Sequence, residues 1–157
     1  MKVAVLMGSP SDHEKMTPAA EVLERFGIEA DVQVVSAHRS PDRVVAVASR
    51  AREEGYVAVI CGAGMAAHLA GVVAAHTTLP VVGVPLSGGA LGGIDALLST
   101  VQMPTGVPVA TVAIDGAANA ALLVVQMLGI HDEDLASKLA DHRDELSGRL
   151  DRFVPRS

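Results

Sequence analysis

His38 and Arg39 stand side by side in the stretch Val34-Val35-Ser36-Ala37-His38-Arg39-Ser40-Pro41. An imidazole exchanges a proton near neutral pH, and a guanidinium grips a phosphate or carboxylate through paired N–H groups. Side by side, the two suit acid/base chemistry on an anionic substrate. An arginine at a helix start meets an unfavourable helix dipole, so Arg39 points to a ligand or a carboxylate rather than to helix stability. For a lone histidine at a strand end the plainer role is a hydrogen bond to backbone. From these residues alone both roles stay open for His38.

Two other stretches carry groups of the same kind. Gly8-Ser9-Pro10-Ser11-Asp12 combines backbone N–H groups with the hydroxyls of Ser9 and Ser11, as a phosphate cradle requires. Asp12 can accept hydrogen bonds from ribose hydroxyls. Plain capping of a following helix by Ser11 and Asp12 is the equal alternative. The stretch lacks the G-x-G-x-x-G fingerprint and the Gly-Lys-Ser/Thr of a P-loop. In Gly62-Ala63-Gly64-Met65-Ala66-Ala67-His68, the glycines, Gly64 among them, let backbone approach a ligand closely. His68 faces either a pocket or open helix surface. His13 is expected on the exposed side of the first helix, and His76, His131 and His142 receive no role. The histidines and Cys61 show no zinc-binding spacing, and no G-x-S-x-G elbow supports a hydrolase.

These stretches need a scaffold that brings them together. Lys2 to Met7 reads as a central parallel strand, a short continuous apolar run covered on both faces. Ser11 and Glu14 form an S-x-x-E capping box, predicting a helix to about Phe26, closed by Gly27. Pro18 either kinks that helix or marks a later start after Thr17. A second strand is expected over Glu29–Val35. Ser40 as N-cap and Pro41 at the first helical position start a helix running to Glu54. Tyr56–Cys61 is the third strand, followed by a helix to about His76, and Val81–Val84 is the fourth. A glycine-rich stretch, Gly88 to Gly93, leads to a helix over Ile94–Val101. The fifth strand lies within Val107–Ile114, followed by a helix over Ala117–Leu128. The βα alternation predicts a doubly wound α/β fold around a five-stranded parallel sheet, whose ligands bind at the carboxyl ends of the strands.

From Asp132 the composition turns charged and polar, with Leu135, Leu139, Leu146 and Leu150 at helical spacing. We expect residues 1–130 to form the α/β catalytic domain. Residues 131–157 are expected to add a C-terminal helix that packs on a neighbouring subunit.

The chain has 157 residues, half of them apolar, with two Phe, one Tyr and no Trp. Its core must be built from small and aliphatic side chains. A net charge of −6 with 12 Lys and Arg excludes the basic face that nucleic-acid binding needs. The single Cys61 offers no internal disulfide, reads as a small buried hydrophobe, and fits a cytoplasmic setting. No secretory signal is visible. The apolar run Val57–Ala75 is interrupted by glycines and His68, so it reads as strand, loop and helix rather than a membrane span. A core rich in Ala and Gly, with a terminal helix beyond it, favours a homo-oligomer.

Several ordered segments resemble one known family. They are Gly8-Ser9-Pro10-Ser11-Asp12, Val35-Ser36-Ala37-His38-Arg39-Ser40-Pro41-Asp42, Gly62-Ala63-Gly64-Met65-Ala66-Ala67-His68-Leu69, Val101-Gln102-Met103-Pro104, Gly106 to Ile114 and Asn119-Ala120-Ala121-Leu122-Leu123. The resemblance, over nearly the whole chain, is to the 5-(carboxyamino)imidazole ribonucleotide mutases of purine (IMP) biosynthesis. It implies a three-layer α/β/α, flavodoxin-like core, a homo-octamer and an isomerase that needs no cofactor or metal. The reaction moves a carboxylate from an exocyclic nitrogen to ring carbon C4 of an aminoimidazole ribonucleotide. The same resemblance makes His38 the catalytic imidazole and His68 the second family histidine. Ser9, Asp12 and Arg39 then bind the ribonucleotide, with Ser11, Ser36 and Gly64 lining its pocket. A related branch carboxylates the unmodified ribonucleotide directly with CO2. It carries Lys in place of Arg39 and lacks Ala-Ala-His-Leu, so Arg39 and Ala66-Ala67-His68-Leu69 favour the mutase. A non-catalytic flavodoxin-like binder is disfavoured because flavin sites stack on aromatics. Met65, Ala70 and the Gly88–Gly93 loop depart from the family pattern and leave the pocket wall undefined.

Overall fold

The computed structural model describes the chain from Met1 to Leu150. Residues 151–157 of the expected C-terminal extension lie outside the described residues.

The apolar run Lys2–Met7 forms strand β1, with every residue from Val3 onward buried. In chain order the next elements are helix α1 (His13–Arg25), β2 (Glu29–Val34), α2 (Pro41–Arg50), β3 (Tyr56–Gly64) and α3 (Leu69–His76). They are followed by β4 (Val81–Leu86), α4 (Ile94–Val101), β5 (Ala110–Thr111), α5 (Ala117–Gly129) and α6 (Glu133–Leu150). All strand pairings are parallel, in the order β2-β1-β3-β4-β5. The expected doubly wound sheet is therefore present. Its order reverses between β1 and β3, and a crevice opens at such a switch point, outside the strands' carboxyl ends.

The strand period of two divides the core into two layers. Val3, Val5, Met7, Ile60 and Val84 face α1 and α5, where Met16, Leu23, Ala121 and Val124 meet them. Ala4, Leu6, Val59 and Cys61 face α2 and α3, packing on Val44, Ala48, Leu69 and Val73. Burying each such Val or Leu side chain contributes about 1.5–3 kcal/mol. Cys61 is buried as expected, and burial pushes its thiol pKa strongly upward.

Several boundaries differ from the sequence reading. β3 and β4 run further because their pairing continues through Gly62↔Val84 and Gly64↔Leu86. α2 stops at Arg50 and gives way to turns ending at Gly55, whose φ is 83°. α1 starts at His13 and carries Pro18 inside it, so the later start after Thr17 is not used. The Ser11–Glu14 capping box does not form. A short 3-10 turn, Pro10–Asp12, precedes α1, and Ser9 caps that turn by accepting from the Ser11 N–H. Ser40 makes no side-chain cap either. Its hydroxyl turns back to the Ser36 backbone, 3.2 Å from both N and O.

The described part of α6 packs on its own chain. Asp132 caps it through the Leu135 N–H at 3.1 Å, and Leu135 joins the core. Leu139 is half-buried, Leu146 is exposed, and Leu150 lies outside the described side chains. His142 meets the Phe26 ring edge-on, and Arg25 pairs with Glu145 at 2.6 Å. Among the described residues no helix is long and apolar enough to cross a membrane.

Close approach of α4 to β4 depends on Gly83. A Cβ there would lie 2.3 Å from Thr100 Cγ2 and 3.0 Å from Val109 Cγ1. Thr100 is buried, and its hydroxyl is bound to the Ala96 carbonyl at 2.7 Å, so its methyl has nowhere to turn. Gly83→Ala should destabilise the fold by about 1–3 kcal/mol, read as a lower urea midpoint at unchanged slope.

Candidate functional site

The carboxyl ends of β1, β2, β3 and β4 each hand the chain to a loop, and all four loops border one cavity of about 680 Å³. The first loop supplies Gly8, Ser9, Ser11 and Asp12; the second supplies Ser36, His38 and Arg39; the third supplies Gly64 and His68. The eight candidate site residues thus line a single space. The fourth loop adds Ser87, Gly88 and Gly89, and helix α1 adds Lys15.

Backbone bonds lock the loops together at their roots. The Gly8 N–H donates to the Gly62 carbonyl at 3.2 Å, and the Val35 N–H to the Met7 carbonyl at 2.8 Å. The second loop folds on itself, with the Ser40 N–H on the Ser36 carbonyl and the Arg39 N–H on the Ser36 hydroxyl, 3.2 Å away. Arg39 then crosses to the first loop, where its Nη2 donates to the Gly8 carbonyl at 2.7 Å. A guanidinium carries five donors, so Arg39 can hold this crossing and still offer N–H groups to an anion.

His38 does not take the backbone bond that a strand-end histidine usually takes. Its Nε2 lies 2.8 Å from Nδ1 of His68, with the rings edge to face at 4.9 Å between centroids. Such a contact holds one proton between the two nitrogens, because two N–H groups facing each other would repel. His68 lines the cavity from the start of α3 and stays exposed to solvent there. His13 is exposed on α1, as expected.

The chain also matches known proteins. A family model described as AIR carboxylase matches residues 2–148. The chain belongs to the AIR carboxylase family. It is 52% identical to an N5-carboxyaminoimidazole ribonucleotide mutase of Saccharolobus solfataricus, over 96% of this chain and 98% of that protein. Against the mutase of the same name from Escherichia coli the identity is 52%, covering 90% and 85%. A crystal structure of Treponema denticola PurE superposes with a TM-score of 0.86 at 27% identity, over 99% of both chains.

In this member of the AIR carboxylase family, charge is arranged around the cavity from two sides. Burial raises the Asp12 carboxyl above its ordinary value, against the lowering pull of the Ser9 backbone, Lys15 and Arg39. Asp115 goes the other way. Burial alone would raise it, but hydrogen bonds from Ser87 and the Lys15 charge hold it below its usual 3.8. The Ser87 N–H donates to its Oδ1 at 2.8 Å. Among the described residues no three His, Cys, Asp or Glu side chains converge as a metal site.

Sequence reading missed Lys15, Ser87 and Asp115. Lys15 lies three residues after Asp12, one helical turn along the same face, and that spacing was the available signal. Asp115-Gly116 is a turn dipeptide, and Asp115 adopts a left-handed φ of 56°.

Because the folded Asp115 value is depressed, its contribution to stability is full above pH 3.8 and is lost as pH falls through the lower folded value. Asp115→Asn should flatten the acid limb of the stability profile, checked by urea midpoints at about pH 5 and about pH 3.

Proposed function

We propose that this protein is an isomerase of purine biosynthesis. It converts 5-(carboxyamino)imidazole ribonucleotide to 4-carboxy-5-aminoimidazole ribonucleotide, with His38 as its general acid and base. The observation that carries this reading is the His38–His68 contact of 2.8 Å at the wall of the cavity that Ser9, Asp12 and Arg39 also line. Proteins named as N5-carboxyaminoimidazole ribonucleotide mutases, about half identical along most of their length, support the same reaction.

The chemistry needs little beyond one movable proton and an enclosed space. A carbamate loses CO2 once its nitrogen is protonated. His38 as imidazolium gives that nitrogen its proton, the N–C bond breaks, and its electron pair stays on nitrogen. Ring carbon C4 then attacks the trapped CO2, and the C4 proton returns to His38, which ends as it began. An imidazole can both give and take a proton, so one side chain serves both steps. His68 orients the His38 ring and shares its proton before substrate arrives. Arg39 and the Ser9 hydroxyl hold the phosphate, while Asp12 meets ribose hydroxyls. Ser11, Ser36 and Gly64 shape the wall. None of these steps uses a cofactor.

His38→Asn should leave ribonucleotide binding within a few fold, by calorimetry, and lower turnover by about 10²–10⁴. Turnover close to that of the parent protein would remove His38 from proton transfer. Supplying the carbamate or the unmodified ribonucleotide with bicarbonate in parallel assays separates the mutase from the direct carboxylase. We expect efficient turnover of the carbamate only.

The reading extends to assembly and location. We infer a cytoplasmic homo-octamer, supported by an exposed apolar stripe of Leu91, Ile94, Leu98 and Val101 along α4 and its entry loop, with exposures of 46 to 62%. Docking of the C-terminal helix on a neighbouring subunit belongs to the same inference. Leu98→Glu should lower the mass per particle in light scattering. An unchanged mass would exclude that stripe from the interface.

A further inference from the structure

Lys15 reaches from α1 to the root of the glycine-rich fourth loop. Its Nζ donates to the Ser87 carbonyl at 2.5 Å and to the Ser87 hydroxyl at 2.7 Å, and lies 3.8 Å from Oδ1 of Asp115. Asp115 binds the same residue from the other side, accepting from the Ser87 N–H, while its own N–H donates to the Pro85 carbonyl at 2.9 Å. Three elements thus meet at one ammonium: the first helix, the end of β4 and the turn before α5. Two of the ammonium's three N–H donors go to Ser87, and the Asp115 carboxylate pairs with the charge at longer range. Lys15 therefore borders the cavity with most of its donors committed to the root of the fourth loop.

Beyond Ser87 the loop has little stiffness of its own. Gly88, Gly89, Gly92 and Gly93 all adopt positive φ. Its far side touches the third loop at Gly89, where a Cβ would lie 3.3 Å from Met65 Cγ. Met65 is itself left-handed, with φ 53°, and it is 61% exposed. The two loops meet at this contact in the cavity's lining, and Lys15 holds the end of one of them.

We propose that Lys15 is a positioning residue that latches the 87–93 loop over the cavity, so that CO2 released in the reaction recombines with the ring instead of escaping. The inference rests on the mutase reading above. Retention is what the latch supplies. If the loop swings away between N–C cleavage and C4 attack, CO2 leaves, the ribonucleotide is released as the free amine, and substrate is consumed without carboxylated product.

The test compares the full-length protein with Lys15→Met, which keeps the length and loses the charge, and Lys15→Arg, which keeps the charge. Two readouts are needed. With no substrate present, hydrogen exchange of peptides covering residues 87–93 should quicken by roughly tenfold in Lys15→Met, the value of one charge-assisted hydrogen bond, and recover in Lys15→Arg. With the carbamate substrate, the ratio of carboxylated product to free amine should fall severalfold in Lys15→Met, corrected for decay without enzyme, while KM stays near that of the parent. Lys15→Arg should restore the ratio. Unchanged exchange in the loop overturns the latch. Faster exchange with an unchanged product ratio overturns its role in retention. A raised KM at constant ratio would make Lys15 a substrate ligand instead, which also overturns the proposal. If the parent protein itself fails to turn over the carbamate, the mutase reading fails, and the exchange result still decides whether the latch exists.

Discussion

The parallel direction of all five strands is the constraint on which the rest depends. Parallel strands place every carboxyl end on the same edge of the sheet, so four loops far apart in sequence converge on one cavity. The reversal of strand order between β1 and β3 separates the helices that follow them, one to each face of the sheet, and opens the crevice there. His38 follows β2 and His68 follows β3, thirty residues apart in sequence, yet their ring nitrogens come within hydrogen-bond distance because β1 holds both strands at fixed spacing.

Such a sheet must be covered closely on both faces, which explains a composition poor in aromatics. Gly83 admits the methyl of Thr100, and Gly62 lies directly under Met16, where a Cβ would stand 2.2 Å from the sulfur. Alanines at 4, 19, 48, 58, 96, 117, 120 and 121 are buried at helix–sheet and helix–helix contacts. Interiors packed at this density transmit small displacements rather than absorbing them. The glycines of the 87–93 loop, by contrast, adopt positive φ and carry no side chains to pack against the site.

Polar groups around the cavity follow a division of labour set by where each side chain begins. Arg39 ties the second loop to the first through the Gly8 carbonyl, and Lys15 ties α1 to the fourth loop through Ser87. Both cations also act on Asp12, opposing the effect of its burial. The imidazole pair joins the second loop to the third. Two cations and an imidazole pair on one cavity suit an anionic nucleotide whose reaction needs one proton moved twice.

Much of this was legible in the chain alone. Continuous apolar runs such as Lys2–Met7 and Tyr56–Cys61, alternating with helical stretches, determine a parallel α/β sheet, because only strands buried on both faces read that way. The residue types at strand ends, above all Ser9, Asp12, His38 and Arg39, mark the edge where chemistry belongs. Local patterns were less secure at the termini of elements. Ser11 and Ser40 both read as caps, but each hydroxyl found a partner across a turn, a competition that sequence spacing cannot resolve. Only the tertiary structure decided that His68 meets His38, and that Lys15, Ser87 and Asp115 form one cluster. The hydrogen bonds among them join residues from 28 to 72 positions apart, and their geometry is set by sheet register and helix packing rather than by neighbours along the chain.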